Sequence, residues 1–231
     1  MRLLTTLFWL AAPALVCAQP LSWNGLAFEH EVSPTYGYVF EAEYRRALES
    51  PADGRFLILA AINKNFAEGA SITPGLRLEP GNNGDPPTLR LFTDLNYKYD
   101  LGDDSPFTLE GRLRYQQDRP LGQDGSQRAV ALRPRLGLAT TLSDRWSLIG
   151  EYEIRYRFDR RDEISRHRYT GGLAFEASER VTVEAFYRIE NRVNEGQRTD
   201  RIIGLYLDYV LPDGRERDWE YRRPFGRRVT W

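Results

Sequence analysis

Arginines and glutamates recur at every second position along several stretches of the sequence. In residues 146–158, Glu151, Glu153, Arg155 and Arg157 alternate with aromatic and aliphatic residues. The planar guanidinium group binds a carboxylate through two parallel hydrogen bonds. A row of such arginines could bind an acidic solute. Alternatively, arginines and glutamates on neighbouring strands could neutralise one another and fill the space between them.

The same alternation defines the candidate functional residues. If one face of these stretches meets lipid, charges must lie on the other face, because an arginine or lysine facing the bilayer midplane costs ~2–4 kcal/mol. Nine arginines are predicted to share the polar face as a candidate track: Arg112, Arg114, Arg133, Arg135, Arg155, Arg157, Arg168, Arg188 and Arg192. Five acids are predicted to share it with them: Glu110, Glu151, Glu153, Glu176 and Glu184.

The sequence offers little for catalysis. His30 and His167 are its two histidines. Arg166 and Arg168 flank His167 and disfavour its protonation, so it is a conceivable base. No nucleophile signature accompanies it, and metal clusters, phosphate-binding glycine loops and nucleic-acid modules are absent from the sequence. We therefore expect no enzyme, no cofactor and no nucleic-acid partner, and a surface position for His167.

The first residues resemble a secretory signal. Arg2 precedes an apolar run to Val16 that is too short to span a bilayer, and small residues follow at 16–18. We expect residues 1–18 to be a signal peptide that is cleaved on export. Lipidation at Cys17, the only cysteine, is an alternative that Val16 fits poorly.

The period of two defines the elements that position these charges. A helix would scatter the two residue sets, whereas a strand separates them. Mean hydropathy is negative, at −0.56, yet ten segments mostly ~9–13 residues long alternate as strands crossing a membrane do. We predict an all-β fold, a transmembrane antiparallel up-and-down β-barrel of ten strands over residues 35–211. A soluble periplasmic β-protein is the alternative, but it would need another layer to cover its sheet.

Connection lengths alternate, and this predicts an orientation. Short turns such as 143–145 and 178–180 are typical of the periplasmic side, and longer loops such as 117–127 and 191–200 of the outside. Both ends of a ten-stranded barrel would then lie in the periplasm, with a basic lumen toward the outside and an acidic one below. Residues 19–34 form an N-terminal segment and 212–231 a basic C-terminal tail; each could instead be a further strand, giving twelve.

Part of the chain resembles a known family. The carrying segments are Leu-Ser-Asp-Arg-Trp at 142–146, Glu-Ile-Arg-Tyr-Arg-Phe-Asp at 153–159 and Arg-His-Arg-Tyr at 166–169. They are similar to the oligogalacturonate-specific porin superfamily and to related uncharacterised outer-membrane barrels. The resemblance implies a twelve-stranded pore for acidic saccharides, with Arg155, Arg157 and Arg168 at positions of an arginine track.

These observations lead to three hypotheses for a protein of the Gram-negative outer membrane. The first is a small monomeric, porin-like channel for transport of acidic solutes such as acidic oligosaccharides. The second is a non-conducting structural or adhesion barrel with a salt-bridged lumen, and the third a surface-lipid-modifying enzyme. Expected partners are the barrel-assembly machinery, outer-membrane lipid and lipopolysaccharide, the last contacted by the outer arginines and the cluster Arg160, Arg161 and Arg166.

Overall fold

A computed structural model describes residues 20–49, 54–81, 86–102, 105–122, 128–159, 162–193 and 198–211. The predicted signal peptide and the predicted basic tail lie outside these residues. The described chain forms eleven strands. They are β1 (Pro20–Glu31), β2 (Tyr36–Ala47), β3 (Arg55–Ala67), β4 (Ala70–Glu79), β5 (Thr88–Asp100), β6 (Phe107–Pro120), β7 (Ala129–Ser143), β8 (Trp146–Arg157), β9 (Glu163–Ser178), β10 (Val181–Arg192) and β11 (Thr199–Val210).

The strands close into one barrel. Each strand from β1 to β10 pairs antiparallel with the next, and β1 closes the ring by pairing in parallel with β11, from Pro20 opposite Arg201 to Glu29 opposite Val210. The predicted antiparallel all-β barrel is therefore confirmed. Its described strands number eleven rather than ten, because the N-terminal segment forms β1.

This extra strand changes where the described barrel begins and ends. With an odd number of strands, the first and last run in the same direction. The prediction that both ends of the barrel lie on one side is therefore wrong for the described chain, in which Pro20 and Val210 lie at opposite ends.

The connections between strands alternate in length. The strand bounds leave short connections at 32–35, 68–69, 101–106, 144–145 and 179–180, and longer ones, for the most part, at 48–54, 80–87, 121–128, 158–162 and 193–198. Because the strands run up and down, all members of one set lie at one end. We call the two ends the short-connection end and the long-connection end.

The two faces of the barrel wall separate by residue type. On β8, Ser147 and Glu153 point inward and are buried, while Leu148 is 45% exposed on the outside. The register of β3 was ambiguous from sequence, and the structure gives it an apolar face on both sides. Leu57 and Leu59 are buried inside, and Ile58 is exposed outside. On β8 the inward and outward positions are therefore those that the alternation predicted.

Three inward-facing glycines each lie directly opposite an aromatic residue on the neighbouring strand. Tyr206 lies opposite Gly25, and Phe186 opposite Gly204. Phe92 lies opposite Gly75 in the same way. A Cβ atom added to any of these glycines would overlap the opposing ring. The missing side chains thus let three aromatic rings lie flat along the inner wall.

No helix in the described part of the chain is long and apolar enough to cross a membrane.

Candidate functional site

The charged side of the barrel interior is built by β5 to β10. On each of these strands every second residue points inward, and each strand has charged residues among its inward positions. Pairs of inward arginines occur on β6 (Arg112 and Arg114) and on β7 (Arg133 and Arg135). These strands lie side by side, with Arg112 opposite Arg135 and Arg114 opposite Arg133. Four arginines thus lie together, and they require carboxylates from other strands.

Three arginines donate hydrogen bonds to the carboxylate of Glu153 on β8. Arg133 donates to its Oε1 atom from Nε at 3.0 Å and from Nη2 at 2.6 Å. Arg168 donates to the same oxygen from Nη1 at 3.1 Å, and Arg112 donates to Oε2. Glu153, Arg112 and Arg133 are all buried. Three guanidinium groups therefore converge on one carboxylate.

The ion pairs continue toward the long-connection end. Arg168 also donates to Glu190 on β10, which accepts from Arg166 Nη1 at 2.8 Å. Arg192 lies 3.8 Å from Glu190 and 2.9 Å from Asp200. Among the described residues, these ion pairs link six arginines and three carboxylates in one continuous set, which we call the arginine network: Arg112, Arg133, Arg166, Arg168, Arg192, Arg198, Glu153, Glu190 and Asp200.

Other inward arginines have acids of their own. Arg114 holds Asp94 through two bonds, at 2.6 and 2.7 Å. Arg135 Nη1 lies 2.9 Å from Glu151 Oε1. Arg90 and Arg155 both approach Asp118, Arg90 Nη2 at 2.9 Å and Arg155 Nη2 at 3.5 Å. Arg114 and Arg135 thus each have one carboxylate, whereas Arg90 and Arg155 share Asp118.

Arg157, the last of the predicted arginines on β8, lies at the end of the strand. Arg157 Nε donates to Asp159 Oδ1 at 3.0 Å, just beyond the strand. This hydrogen bond lowers the pKa of the Asp159 carboxyl below its ordinary value. The aspartate is therefore held in its charged form at the long-connection end.

Arg188 lies between the charged and the aromatic sides of the interior. Its Nε atom donates to Thr170 Oγ1 at 2.9 Å, and its guanidinium carbon lies 5.2 Å from the ring centroids of Trp23 and Phe186. Trp23, Phe186, Ile202 and Tyr206 form a buried apolar cluster there. Cation–π attraction of this kind is worth ~2 kcal/mol or more where water is excluded.

The middle of the barrel is packed with side chains. Around the whole circumference, each strand contributes at least one buried inward residue. One such residue from each strand, β1 to β11 in order, is Trp23, Glu43, Leu59, Thr73, Asp94, Arg114, Arg133, Glu153, Thr170, Arg188 and Ile202. The ion pairs described above are part of this packing.

The structure brings the predicted residues together in three groups. All nine predicted arginines lie on the inner face. Arg112, Arg133, Arg168 and Arg192 meet in the arginine network. The others, Arg114, Arg135, Arg155, Arg157 and Arg188, have the separate partners given above. Of the predicted acids, Glu151 and Glu153 lie among the arginines, whereas Glu110, Glu176 and Glu184 lie nearer the short-connection end.

Two carboxylates of the site were missed from sequence. Asp118 and Asp200 fall in segments predicted to be loops, but β6 continues to Pro120 and β11 already begins at Thr199. The alternation of the strand could have identified them. Asp118 lies an even number of residues from Arg112 and Arg114, and Asp200 lies an even number from Asp208, so each shares the inner face of its strand. The strands extend past their apolar length because their inner faces continue the ladder of ion pairs.

The histidines lie away from the arginine network. His167 points outward, where it stacks on Tyr152 with ring planes 12° apart, and its Nδ1 atom lies 2.8 Å from the Tyr152 hydroxyl. This agrees with the predicted surface position. His30 is on β1.

Arg166, predicted to contact lipid, instead binds Glu190 inside, and Arg160 and Arg161 lie outside the described residues. Within the described ranges there is no group of three or more residues that could hold a metal ion.

Residues 21–201 match the family described as "Protein of unknown function (DUF2490)". The chain belongs to this family. No curated protein matches the sequence. The expected kinship with an uncharacterised barrel family is thus confirmed.

Solved porin structures resemble this DUF2490 protein in fold. A NanC porin superposes with a TM-score of 0.51 at 11% identity, over 80% of this chain and 91% of that one. A KdgM porin gives 0.46 at 14% identity, over 71% and 81%. An anion-selective porin from Comamonas acidovorans gives 0.39 at 15% identity, over 76% and 54%. The NanC likeness establishes that the DUF2490 chain has a porin-like barrel fold.

Proposed function

We propose that this protein is a narrow, porin-like channel of the bacterial outer membrane that passes small acidic solutes. The observation that carries the proposal is the arginine network, in which ion pairs among the described residues link six arginines and three carboxylates inside the barrel. The apolar outer face supports a membrane location, because an exposed belt of leucine, isoleucine and aromatic side chains is stable against lipid rather than water.

In the described part of the arginine network arginines outnumber carboxylates, and this local excess favours anions. Each guanidinium carries five N–H donors, so an arginine that binds Glu153 retains donors for a further acceptor. The carboxylate of a solute can therefore displace Glu153 or Glu190 from one arginine and move to the next. We expect the long-connection end to face outward, following the usual length difference between outer loops and periplasmic turns.

Because side chains pack the middle of the barrel, passage requires that ion pairs exchange partners. We therefore expect a small conductance that depends strongly on the network. Glu153→Gln leaves Arg112, Arg133 and Arg168 with less counter-charge and should increase preference for anions over cations. Glu176→Gln is the matched control, because Glu176 lies on the inner face near the short-connection end.

Current through planar lipid bilayers tests this function. The purified wild-type protein should give small anion-preferring currents, and Glu153→Gln should raise the anion preference more than Glu176→Gln. Equal effects of the two variants would contradict a role for the network. A wild-type protein that inserts but carries no current would overturn the channel proposal.

A sealed barrel is the second candidate, and the burial of inward side chains on every strand favours it. In this case the ion pairs stabilise the wall and no solute crosses. Glu153→Gln would then lower stability without creating current.

A further inference from the structure

The outer face of the barrel is asymmetric along its axis. Toward the short-connection end it carries exposed aromatic side chains such as Tyr97, Tyr99, Phe107 and Trp146. Toward the long-connection end, several outward positions on β9, β10, β11, β1 and β2 are polar or basic, with Ile164 and Tyr44 also facing outward there. We call this set the outward polar patch: Ser22, Asn24, Arg46, His167, Asn191 and Arg201.

Strand register makes the patch continuous. Ser22 lies opposite Arg46, and Arg201 lies opposite Pro20, which is the next outward position on β1. At about 4.8 Å between strands, the Cα atoms of Arg46 and Arg201 are about 12 Å apart. Two arginine side chains can therefore reach one headgroup between them.

The rest of the patch extends over β9 and β10. Asn191 lies opposite His167, which the Tyr152 hydroxyl contacts at 2.8 Å, and Thr199 donates to Asn191 Oδ1 at 3.0 Å. Five adjacent strands span about 19 Å of barrel wall. This width suits a lipid headgroup better than a single small ion.

The described outward positions of the patch include two arginines and no acid. On these five strands, none of the described outward positions carries a carboxylate. Arg201 Nη1 is buried and has no hydrogen-bond partner among the described residues. An arginine facing hydrocarbon costs ~2–4 kcal/mol at the midplane but ~0–1 kcal/mol near the interface. This part of the wall must therefore lie at headgroup level.

We propose that the outward polar patch binds the phosphate groups of lipopolysaccharide in the outer leaflet. Arginine matches phosphate oxygens with parallel hydrogen bonds, and basic surfaces at headgroup level bind anionic lipids. The inference rests on the outer-membrane location proposed above. It also rests on the orientation proposed there, with the long-connection end outside.

Binding of defined lipids to the folded full-length protein tests the site. Lipopolysaccharide, the same lipopolysaccharide after phosphatase treatment, and inorganic phosphate are titrated in detergent by microscale thermophoresis. The double variant R46Q/R201Q is compared with K64Q, because Lys64 is an exposed cation beside Tyr36 toward the other end. Heat-modifiable gel mobility shows that each variant is folded.

We expect phosphorylated lipopolysaccharide to bind the wild type about tenfold more tightly than the dephosphorylated form. R46Q/R201Q should lose this difference, and K64Q should keep it. Equal affinity for both lipids, or no loss in R46Q/R201Q, would overturn the site. Saturation by inorganic phosphate at the same concentration would show a free-anion site instead of a lipid site, which also overturns the proposal.

Channel currents separate this inference from the proposed function. R46Q/R201Q should leave conductance unchanged, because both residues lie outside the lumen. Currents without lipopolysaccharide binding would refute only the lipid site. Lipopolysaccharide binding without currents would refute only the channel.

Discussion

Replacing Glu153 with glutamine removes the carboxylate that holds three arginines inside the barrel, of which Arg112 and Arg133 are buried. Glu153 accepts two hydrogen bonds from Arg133 and one each from Arg112 and Arg168. Leaving buried charges without their partner costs ~3–5 kcal/mol. We expect a loss of about 4 kcal/mol in the free energy of unfolding, since glutamine keeps the shape and an acceptor but not the charge. At a denaturant slope of about 2 kcal/mol per molar urea, the midpoint falls by roughly 2 M.

Urea unfolding from lipid vesicles, followed by tryptophan fluorescence, measures this shift. Glu151→Gln is the matched control on the same strand, because Glu151 has one arginine, Arg135, and should cost less than half as much. Adding Arg133→Gln to Glu153→Gln should restore part of the stability by reducing the repulsion that remains, with a coupling of about 1–3 kcal/mol. A loss below about 1 kcal/mol for Glu153→Gln, or equal losses for the two glutamates, would refute our account of the network.

Two further predictions concern the wall and the end of β8. Gly204→Val should destabilise the barrel by about 1–3 kcal/mol, because the new side chain overlaps the Phe186 ring. Gly171→Val, where a Cβ meets no atom within 4 Å, should cost less in the same urea titration, and the reverse order would refute the role of the ring. The pKa of Asp159 should lie below its ordinary value of about 3.9 and rise in Arg157→Gln. Its stabilising effect is therefore complete above that ordinary value and declines as pH falls below it, and NMR titration showing the same pKa in both proteins would contradict the pair.

Much of the barrel follows from the period of two in the sequence. From Glu151 to Arg157 on β8, charged and apolar residues alternate strictly, so one parity alone keeps Glu153 out of lipid, and the structure has that parity. On β3, however, Leu57, Ile58 and Leu59 are all apolar, so hydrophobicity cannot distinguish the two faces. The register of β3 is fixed by pairing with β2 and β4, which are distant signals in sequence.

The sequence predicted which face of a strand each charged residue occupies, but it did not predict which charged residues form ion pairs. Parity placed Arg112, Arg133 and Arg168 inside, but their convergence on Glu153 depends on the stagger between β6, β7, β8 and β9. Strand lengths predicted from the apolar residues alone were also too short. Asp118 was predicted to lie in a loop because the outer face of β6 turns polar there, while the inner face continues its ion pairs.

The preference of the lumen for anions is the central claim, and the reversal potential of the wild-type protein tests it most directly. The protein is inserted into a planar bilayer with a tenfold KCl gradient across it. The excess of arginine over carboxylate in the network predicts a reversal potential displaced toward the chloride equilibrium potential. A displacement toward the potassium equilibrium potential would contradict the claim.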